Sequence, residues 1–189
     1  MHAALGIAVF LSFYQGDQRY HRVRPPLDGV TPAVAITASF WITPRYALEG
    51  EVVLGRVLAK PQAFEYNWRV DYTLEHRDVL ASVLLRTRLG PSPIEAVAGG
   101  GLAFTQTAER DPVKQFPGQP PTRLTDVAKS QVALTLTAGA DAAVRAGRRI
   151  EIIPSVRLRW IDRPAASLSW LDGVGSYVFQ VGAGVRWRP

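Results

Sequence analysis

One short run of the sequence gathers groups that exchange protons near neutral pH. Glu75-His76-Arg77-Asp78 holds two carboxylates and one of only three histidines in the chain. Such a cluster at the rim of a cleft serves hydrolases, including proteases and lipid-modifying enzymes. No serine or carboxylate partner stands at a spacing typical of those enzymes, and ion pairs with neighbouring loops explain the run equally well. We interpret it as structural and expect no catalytic residue, with catalysis kept as the alternative.

A glycine run and two basic runs also suggest ligands. Gly99-Gly100-Gly101 is not followed by a helical pattern, so the helix N-terminus that captures phosphate is missing. A bend in a strand, or room for an arginine, explains it better. Residues 19–24 and 145–149 are rich in arginine, but nucleic-acid binding needs a continuous basic face with stacking aromatics. We therefore expect no nucleic-acid partner. The chain also has no cysteine, which excludes thiolate metal sites, and we expect no metal site and no cofactor.

The composition is that of one folded domain, which we assign to residues 1–189. The chain is 47% hydrophobic and 20% charged, too apolar for a disordered protein. It has no apolar run of about 18 residues, so a transmembrane helix is excluded. The net charge of +6 comes from 22 Lys and Arg against 16 Asp and Glu.

Apolar and polar residues alternate with a period of two, which predicts β-strands. Residues 132–142 and 177–187 show the pattern most regularly, and no segment has a helical period. In all, eight segments alternate over roughly ten residues each, the length that a tilted strand needs to cross a bilayer. The sequence therefore predicts an all-β fold.

Short and long connections alternate between the predicted strands. The short ones are Thr43-Pro44-Arg45, Gly90–Pro93 and residues 145–149, and the long ones are residues 15–30, 57–77, 108–130 and 162–173. We expect the loop at 108–130 to be irregular and mobile, because it contains four prolines. Sorting by length is typical of outer-membrane barrels, which have short periplasmic turns and long extracellular loops.

The polar faces of these strands carry few, balanced charges among small residues. Five acids and five bases occupy them, whereas the apolar faces hold no charge in mid-strand. This favours a narrow lumen in which carboxylates pair with arginine forks, over a soluble barrel with its apolar face inward. The predicted lumen charge network is Glu49, Glu51, Arg86, Arg88, Glu95, Asp141, Glu151, Arg157, Arg159 and Arg186.

Aromatic residues cluster at the two ends of the predicted strands, as the two interfaces of a membrane require. Tyr46 and Trp187 stand near the short turns, and the others near the long loops. The predicted interface aromatics are Phe13, Tyr46, Phe104, Trp160, Tyr177 and Trp187.

In the first predicted strand, Leu5–Phe13, the apolar run Leu5–Leu11 also resembles the core of a signal peptide. No Lys or Arg precedes it, no cleavage site follows it, and its alternation continues to Tyr14. We therefore assign it to the barrel and expect the export signal to be missing from this sequence.

The chain resembles the bacterial outer-membrane β-barrel superfamily of the outer-membrane-protein-A type, over nearly its whole length. The resemblance is carried by the hairpin 33–55, by His76-Arg77-Asp78, by residues 98–101 and by the closing segment 181–187. Family members usually end on an aromatic residue that the assembly machinery recognises. Here Arg188 and Pro189 follow Trp187, so that signal is displaced.

This resemblance implies a monomeric, eight-stranded, antiparallel up-and-down barrel in the bacterial outer membrane. Its expected partners are outer-membrane lipid, lipopolysaccharide and the barrel-assembly machinery. The leading hypothesis is a non-enzymatic barrel with a lumen filled by side chains, which acts in envelope integrity or in surface binding through its loops. The alternatives are an outer-membrane lipid-modifying or proteolytic enzyme that uses the 75–78 cluster, and a soluble lipocalin-like carrier.

Overall fold

The chain forms one antiparallel β-sheet that closes on itself. A computed structural model describes residues 2–14, 29–60, 62–65, 68–162 and 177–189. Among them, three strands are short: β4 (Gln62–Glu65), β7 (Thr122–Arg123) and β9 (Val144–Arg145). The eight long strands are β1 (His2–Tyr14), β2 (Gly29–Trp41), β3 (Tyr46–Ala59), β5 (Trp68–Arg88), β6 (Ile94–Gln115), β8 (Val127–Ala142), β10 (Ile150–Ile161) and β11 (Tyr177–Trp187).

The long strands make a ring in the order β1-β2-β3-β5-β6-β8-β10-β11. The ring closes where β1 pairs with β11, from Leu5 opposite Trp187 to Tyr14 opposite Val178. Closure leaves the long strands without a free sheet edge. The predicted all-β, eight-stranded antiparallel barrel is confirmed, and Leu5–Phe13 is the strand that closes it. None of the described residues lies in a helix long and apolar enough to cross a membrane.

The two faces of the barrel wall are the reverse of those of a soluble protein. Leu5, Ile7, Val9 and Leu11 point outward and are each more than half exposed, and every long strand continues this apolar outer face. Charged residues such as Glu49 are buried inside. The soluble-carrier alternative, which requires the apolar face to point inward, is therefore wrong.

Towards the long-loop end the outer apolar band is interrupted by charged residues, although Leu58 of β3 is again apolar and exposed beyond them. On β3 it runs from Tyr46 to Leu54, after which Arg56 faces outward. Its neighbour on β5 is Arg77, directly opposite Arg56 in the register. This nine-residue stretch of strand matches the roughly 9–11 residues that a tilted transmembrane strand needs.

Two of the predicted long loops are largely strand. β5 begins at Trp68 and β6 continues through Gln115, with β4 and β7 paired to their outer edges. The prediction of long connections at residues 57–77 and 108–130, the second of them irregular, is therefore wrong over most of their length. The loop segments 15–28 and 163–176, which include His21 and the basic run 19–24, lie outside the described residues.

The extension of β5 was missed because the polarity of its two faces reverses at the edge of the apolar band. Below it, Asp78, Ser82 and Arg86 are buried and residues such as Val79 and Val83 face out, with Leu80 and Leu84 as buried apolar exceptions. Above it, Val70, Tyr72 and Leu74 are buried, and residues such as Arg77 face out. This upper pattern is that of a sheet in water, so a search for apolar outer faces misses it.

The glycine run in β6 serves close packing of strands. A Cβ atom on Gly101 would lie 1.9 Å from the carbonyl oxygen of Ala81 on β5, and one on Gly99 would lie 2.2 Å from that of Val83. The wall is therefore tightly curved here. Room for an arginine is found instead at Gly139, where a Cβ atom would lie 2.8 Å from Cδ of Arg157.

Candidate functional site

Arg86 is the centre of the charge network in the lower lumen, the half nearer the short turns. Its Nη2 donates to Oε1 of Glu49 at 2.7 Å, and its Nη1 donates to Oε2 of Glu95 at 2.9 Å and also to Asp141. Glu49 in turn accepts a hydrogen bond of 2.6 Å from Ser39. The carboxylates come from β3, β6 and β8, so one guanidinium ties together four strands.

A second set of pairs extends the network to the short-turn end. Arg186 donates to both oxygens of Glu95, at 2.9 and 3.1 Å, and to Glu151 at 2.8 Å. Arg88 reaches Glu95 at 3.3 Å, and Arg188 reaches Glu151 at 2.9 Å. Buried charges are stable only when paired in this way.

Two arginines of β10 carry the network upward. Arg157 donates to Asp141 at 2.8 Å. Arg159, which is fully buried, donates to Glu51 at 2.6 Å, to Gln180 at 2.6 Å and to Thr137 at 3.0 Å.

The structure thus brings all ten predicted lumen charges together inside the barrel. Nine are buried, and Arg88 lies at the mouth with 31% of its side chain exposed. A cavity of about 30 Å³ remains among Glu51, Arg86, Arg157 and Arg186, which is room for one water molecule.

Sequence reasoning missed that part of the lumen is apolar. Phe10, Val53 and Leu80 pack together inside the barrel, and the same cluster continues upward through Val57 and Leu74. The missed signal is the set of large apolar residues on faces assigned as polar, such as Leu80 and Leu84 on β5. The lumen is therefore closed both by ion pairs and by an apolar plug.

The run 75–78 is split between the two faces of β5. His76 and Asp78 point inward and are almost fully buried. His76 Nδ1 lies 2.7 Å from Oγ1 of Thr107, directly opposite on β6, and Nε2 lies 2.8 Å from Oδ1 of Asp78. The hydroxyl of Tyr14 donates to the other oxygen of Asp78 at 3.3 Å.

Glu75 lies on the outer face instead, above the apolar band. Its carboxylate pairs with Arg77 at 2.6 Å and with Arg56 at 2.8 Å. The hydrogen bond from Arg77 is the main cause that lowers the pKa of Glu75. The four residues therefore do not form one cluster, because neighbours in a strand point to opposite faces.

A buried tryptophan at the short-turn mouth was also missed. Trp41 is 6% exposed, and three guanidinium groups lie near its ring: Arg88 at 4.9 Å, Arg188 at 5.5 Å and Arg186 at 5.8 Å from the centroid. Cation–π contacts of this kind hold the arginines over the mouth.

The six predicted interface aromatics lie on the outer face of the barrel. Tyr46 and Trp187 are placed near the short turns, and Phe13 and Phe179 contact each other near the opposite end, with ring centroids 6.1 Å apart. Trp160 is half-buried, and the other five, Phe13, Tyr46, Phe104, Tyr177 and Trp187, are between 40% and 52% exposed.

No group of three His, Asp or Glu side chains among the described residues is arranged to hold a metal ion. The described part of the site therefore offers ion pairing, hydrogen bonding and cation–π contacts.

Comparisons with known proteins identify the fold. No protein-family model matches the chain, and neither does any curated protein sequence. Among solved structures, a major outer membrane protein from Thermus thermophilus is similar at a TM-score of 0.60 and 11% identity, with 99% of each chain covered. Neisserial surface protein A is similar at 0.54 and 11%, with 98% of this chain and 96% of that chain covered.

Ail, the attachment invasion locus protein of Yersinia pestis, is similar at a TM-score of 0.54 and 14% identity, with 98% of each chain covered. The chain thus has the fold of the eight-stranded outer-membrane β-barrels, and the predicted resemblance is confirmed at the level of the fold.

Proposed function

We propose that the protein is a non-enzymatic barrel of the bacterial outer membrane, closed to general diffusion, which acts in surface binding or envelope integrity through its extracellular end. The observation that carries the proposal is the inverted wall, with apolar residues outside and paired charges inside. A protein in water gains nothing from such a wall, whereas a bilayer requires it.

The height of the outer band supports the membrane location. The band ends at Arg56, Glu75 and Arg77, whose charges belong in the headgroup region or in water. In this orientation the short turns face the periplasm, and the extensions of β5 and β6 stand outside the cell.

The filled lumen argues against a pore. Arg86 and its three carboxylates block the lower half, and the apolar cluster around Phe10 and Leu80 blocks the part above it. An ion would have to break several buried pairs to pass.

The projecting sheet β4-β5-β6-β7 is the element that we assign to surface binding. From Arg77 to Trp68, β5 rises roughly 30 Å along its axis beyond the apolar band. At its tip Lys114 lies 4.3 Å from the ring centroid of Trp68 and 4.8 Å from that of Phe116. A rigid sheet that carries aromatic and charged groups offers a partner a pre-organised surface.

Two measurements on the full chain test the proposal. After detergent extraction, the unheated protein should migrate differently from the boiled protein on a gel, which reports a folded membrane barrel. In planar bilayers it should give no stable conductance of porin size. Recovery in the soluble fraction without detergent would overturn the location, and a stable porin-sized conductance would overturn the closed lumen.

A second candidate function is hydrolysis at the extracellular rim. One observation favours it: Thr107, His76 and Asp78 form a continuous chain of a hydroxyl, an imidazole and a carboxylate, the arrangement that activates a nucleophile. Thr107→Val should then abolish a change in lipid A composition that the wild-type protein causes in a host outer membrane. If the wild-type protein, confirmed as folded by its gel shift, leaves the lipid A composition of the host unchanged, hydrolysis of lipid A is excluded.

A further inference from the structure

The periplasmic end of the barrel carries arginines around much of its rim. Arg45 lies in the turn between β2 and β3, Arg145, Arg148 and Arg149 lie in the connection from β8 to β10, and Arg188 follows β11. These elements are neighbours around the ring. The turn between β5 and β6 is Gly90-Pro91-Ser92-Pro93 and carries no charge, so the charge follows the arc of the rim from β8 through β11 and β1 to β3.

Two cavities open in this arc. The first, of about 270 Å³, is lined by Arg145, Arg148, Arg149 and Arg188 together with His2. The second, of about 290 Å³, is lined by Trp41, Arg88, Arg188 and His2. Arg188 and His2 line both cavities, so the arc forms one basic groove.

The acids of this region are already engaged with other arginines. Glu151, in the wall of the first cavity, pairs with Arg186 and Arg188, whereas the three arginines of the β8–β10 connection make no ion pair within the described residues. Burial, with a smaller contribution from the charges of Arg186 and Arg88, lowers the pKa of Arg188 although the paired Glu151 opposes the shift. A bound anion would offset that repulsion.

The groove lies at the edge of the lipid-facing band. Val144, Ile150 and Trp187, which are 49%, 45% and 43% exposed, face outward beside the arginines. The amide of Arg188 donates to the carbonyl of Arg149 at 2.8 Å, which holds the connection against the end of β11. Within the connection, the amide of Ala146 donates to the carbonyl of Ile150 at 3.0 Å. A ligand here meets guanidinium groups and hydrocarbon-facing side chains together.

We infer that this groove binds the phosphate headgroup of an anionic phospholipid in the inner leaflet of the outer membrane. Arg148 and Arg149 present planar forks that match phosphate oxygens, and the acyl chains lie along Val144, Ile150 and Trp187. An acidic periplasmic protein could pair with the arginines, but it would not account for the exposed apolar residues Val144, Ile150 and Trp187 beside them. The inference rests on the proposed membrane location and orientation.

Native mass spectrometry of the purified full chain tests the site, with phosphatidylglycerol and phosphatidylcholine offered at equal concentration. The wild-type barrel should retain phosphatidylglycerol preferentially. The double variant R148Q/R149Q should retain about tenfold less, since hydrogen bonds to a charged group are being lost. The matched control R110Q/R123Q removes the same charge from exposed arginines at the opposite end, and its retention should be unchanged.

The outcomes separate this site from the proposed function. Equal retention of the two lipids by wild-type protein, or equal losses in both double variants, would overturn the site. Equally tight binding of soluble glycerophosphoglycerol, which has no acyl chains, would overturn the assignment to a lipid. Each sample is also run unheated on a gel: a folded barrel that does not select phosphatidylglycerol leaves the proposed function standing.

Discussion

Arg159 on β10 donates a hydrogen bond of 2.6 Å to Glu51 on β3, four strands away in either direction around a ring of eight. The pair therefore spans the diameter of the barrel. Both side chains are at most 1% exposed, so neither charge has water as an alternative partner. This relationship explains how a narrow barrel holds charges in its lumen and remains closed.

Removal of one member of this pair should be costly. Arg159→Met leaves the Glu51 carboxylate buried without its cation, and should lower the free energy of unfolding by about 3–5 kcal/mol. The double variant E51Q/R159M should recover part of that loss. Urea unfolding in detergent or lipid, followed by tryptophan fluorescence, measures both. As a control, Arg123→Gln breaks an exposed pair and should cost about 1 kcal/mol or less; a similar loss in R159M would contradict the buried-pair argument.

Arg86 should act as the lower plug of the lumen. Arg86→Ala removes the side chain that joins Glu49, Glu95 and Asp141 and leaves a wider, more negative passage. When the apolar cluster above it is also opened by Leu80→Ala, we expect cation-selective openings in planar bilayers that the wild-type protein and L80A alone lack. Arg45→Ala in the same L80A background changes only an exposed turn and should remain closed. An R86A/L80A barrel as silent as L80A alone would contradict this role of Arg86.

Gly139 should be intolerant of a side chain. A Cβ atom there would lie 2.2 Å from the carbonyl oxygen of Val156 and 2.8 Å from Cδ of Arg157. Gly139→Ala should therefore destabilise the barrel by about 1–3 kcal/mol through overpacking. At Gly50 a Cβ atom meets nothing within 4 Å, so Gly50→Ala should change stability by no more than about 0.5 kcal/mol. Equal unfolding midpoints for the two variants would contradict this difference.

Glu75 should make stability depend on pH in the acid range. Its pKa is lowered in the folded barrel by Arg77 and Arg56, so its contribution is present above the unfolded pKa, near about 4.3. The contribution disappears as the pH falls through the lower folded value. Glu75→Gln should therefore be less stable than wild type at neutral pH and equal to it in strong acid. Unfolding midpoints measured across this range check the sign; a gap that widens in acid would reverse it.

Much of the barrel wall was predictable from the sequence, because in each strand alternate side chains must suit the surroundings of the face to which they point. Inside a bilayer every outward side chain meets hydrocarbon, so alternation alone assigns Val9 and Leu136 to one face and Glu49 and Arg157 to the other. Short turns such as Thr43-Pro44-Arg45 then set the strand order. By itself the sequence therefore determined the barrel, its orientation of faces and the membership of the lumen network.

Only the tertiary structure decided which groups meet. Closure of the ring brings Arg159 to Glu51 and Arg186 to Glu95 across 108 and 91 residues of sequence, and alternation carries no information about such partners. The tertiary structure also places Trp41 beneath the guanidinium groups at the short-turn mouth of the barrel. The projecting part of β5 escaped prediction because above Arg77 its buried face is apolar and its outer face is polar, the reverse of the pattern below; in the proposed membrane location this is where water replaces lipid. The local pattern of side chains indicates the environment that each face of a strand meets. Contacts across the lumen depend instead on the curvature and register of the whole closed sheet.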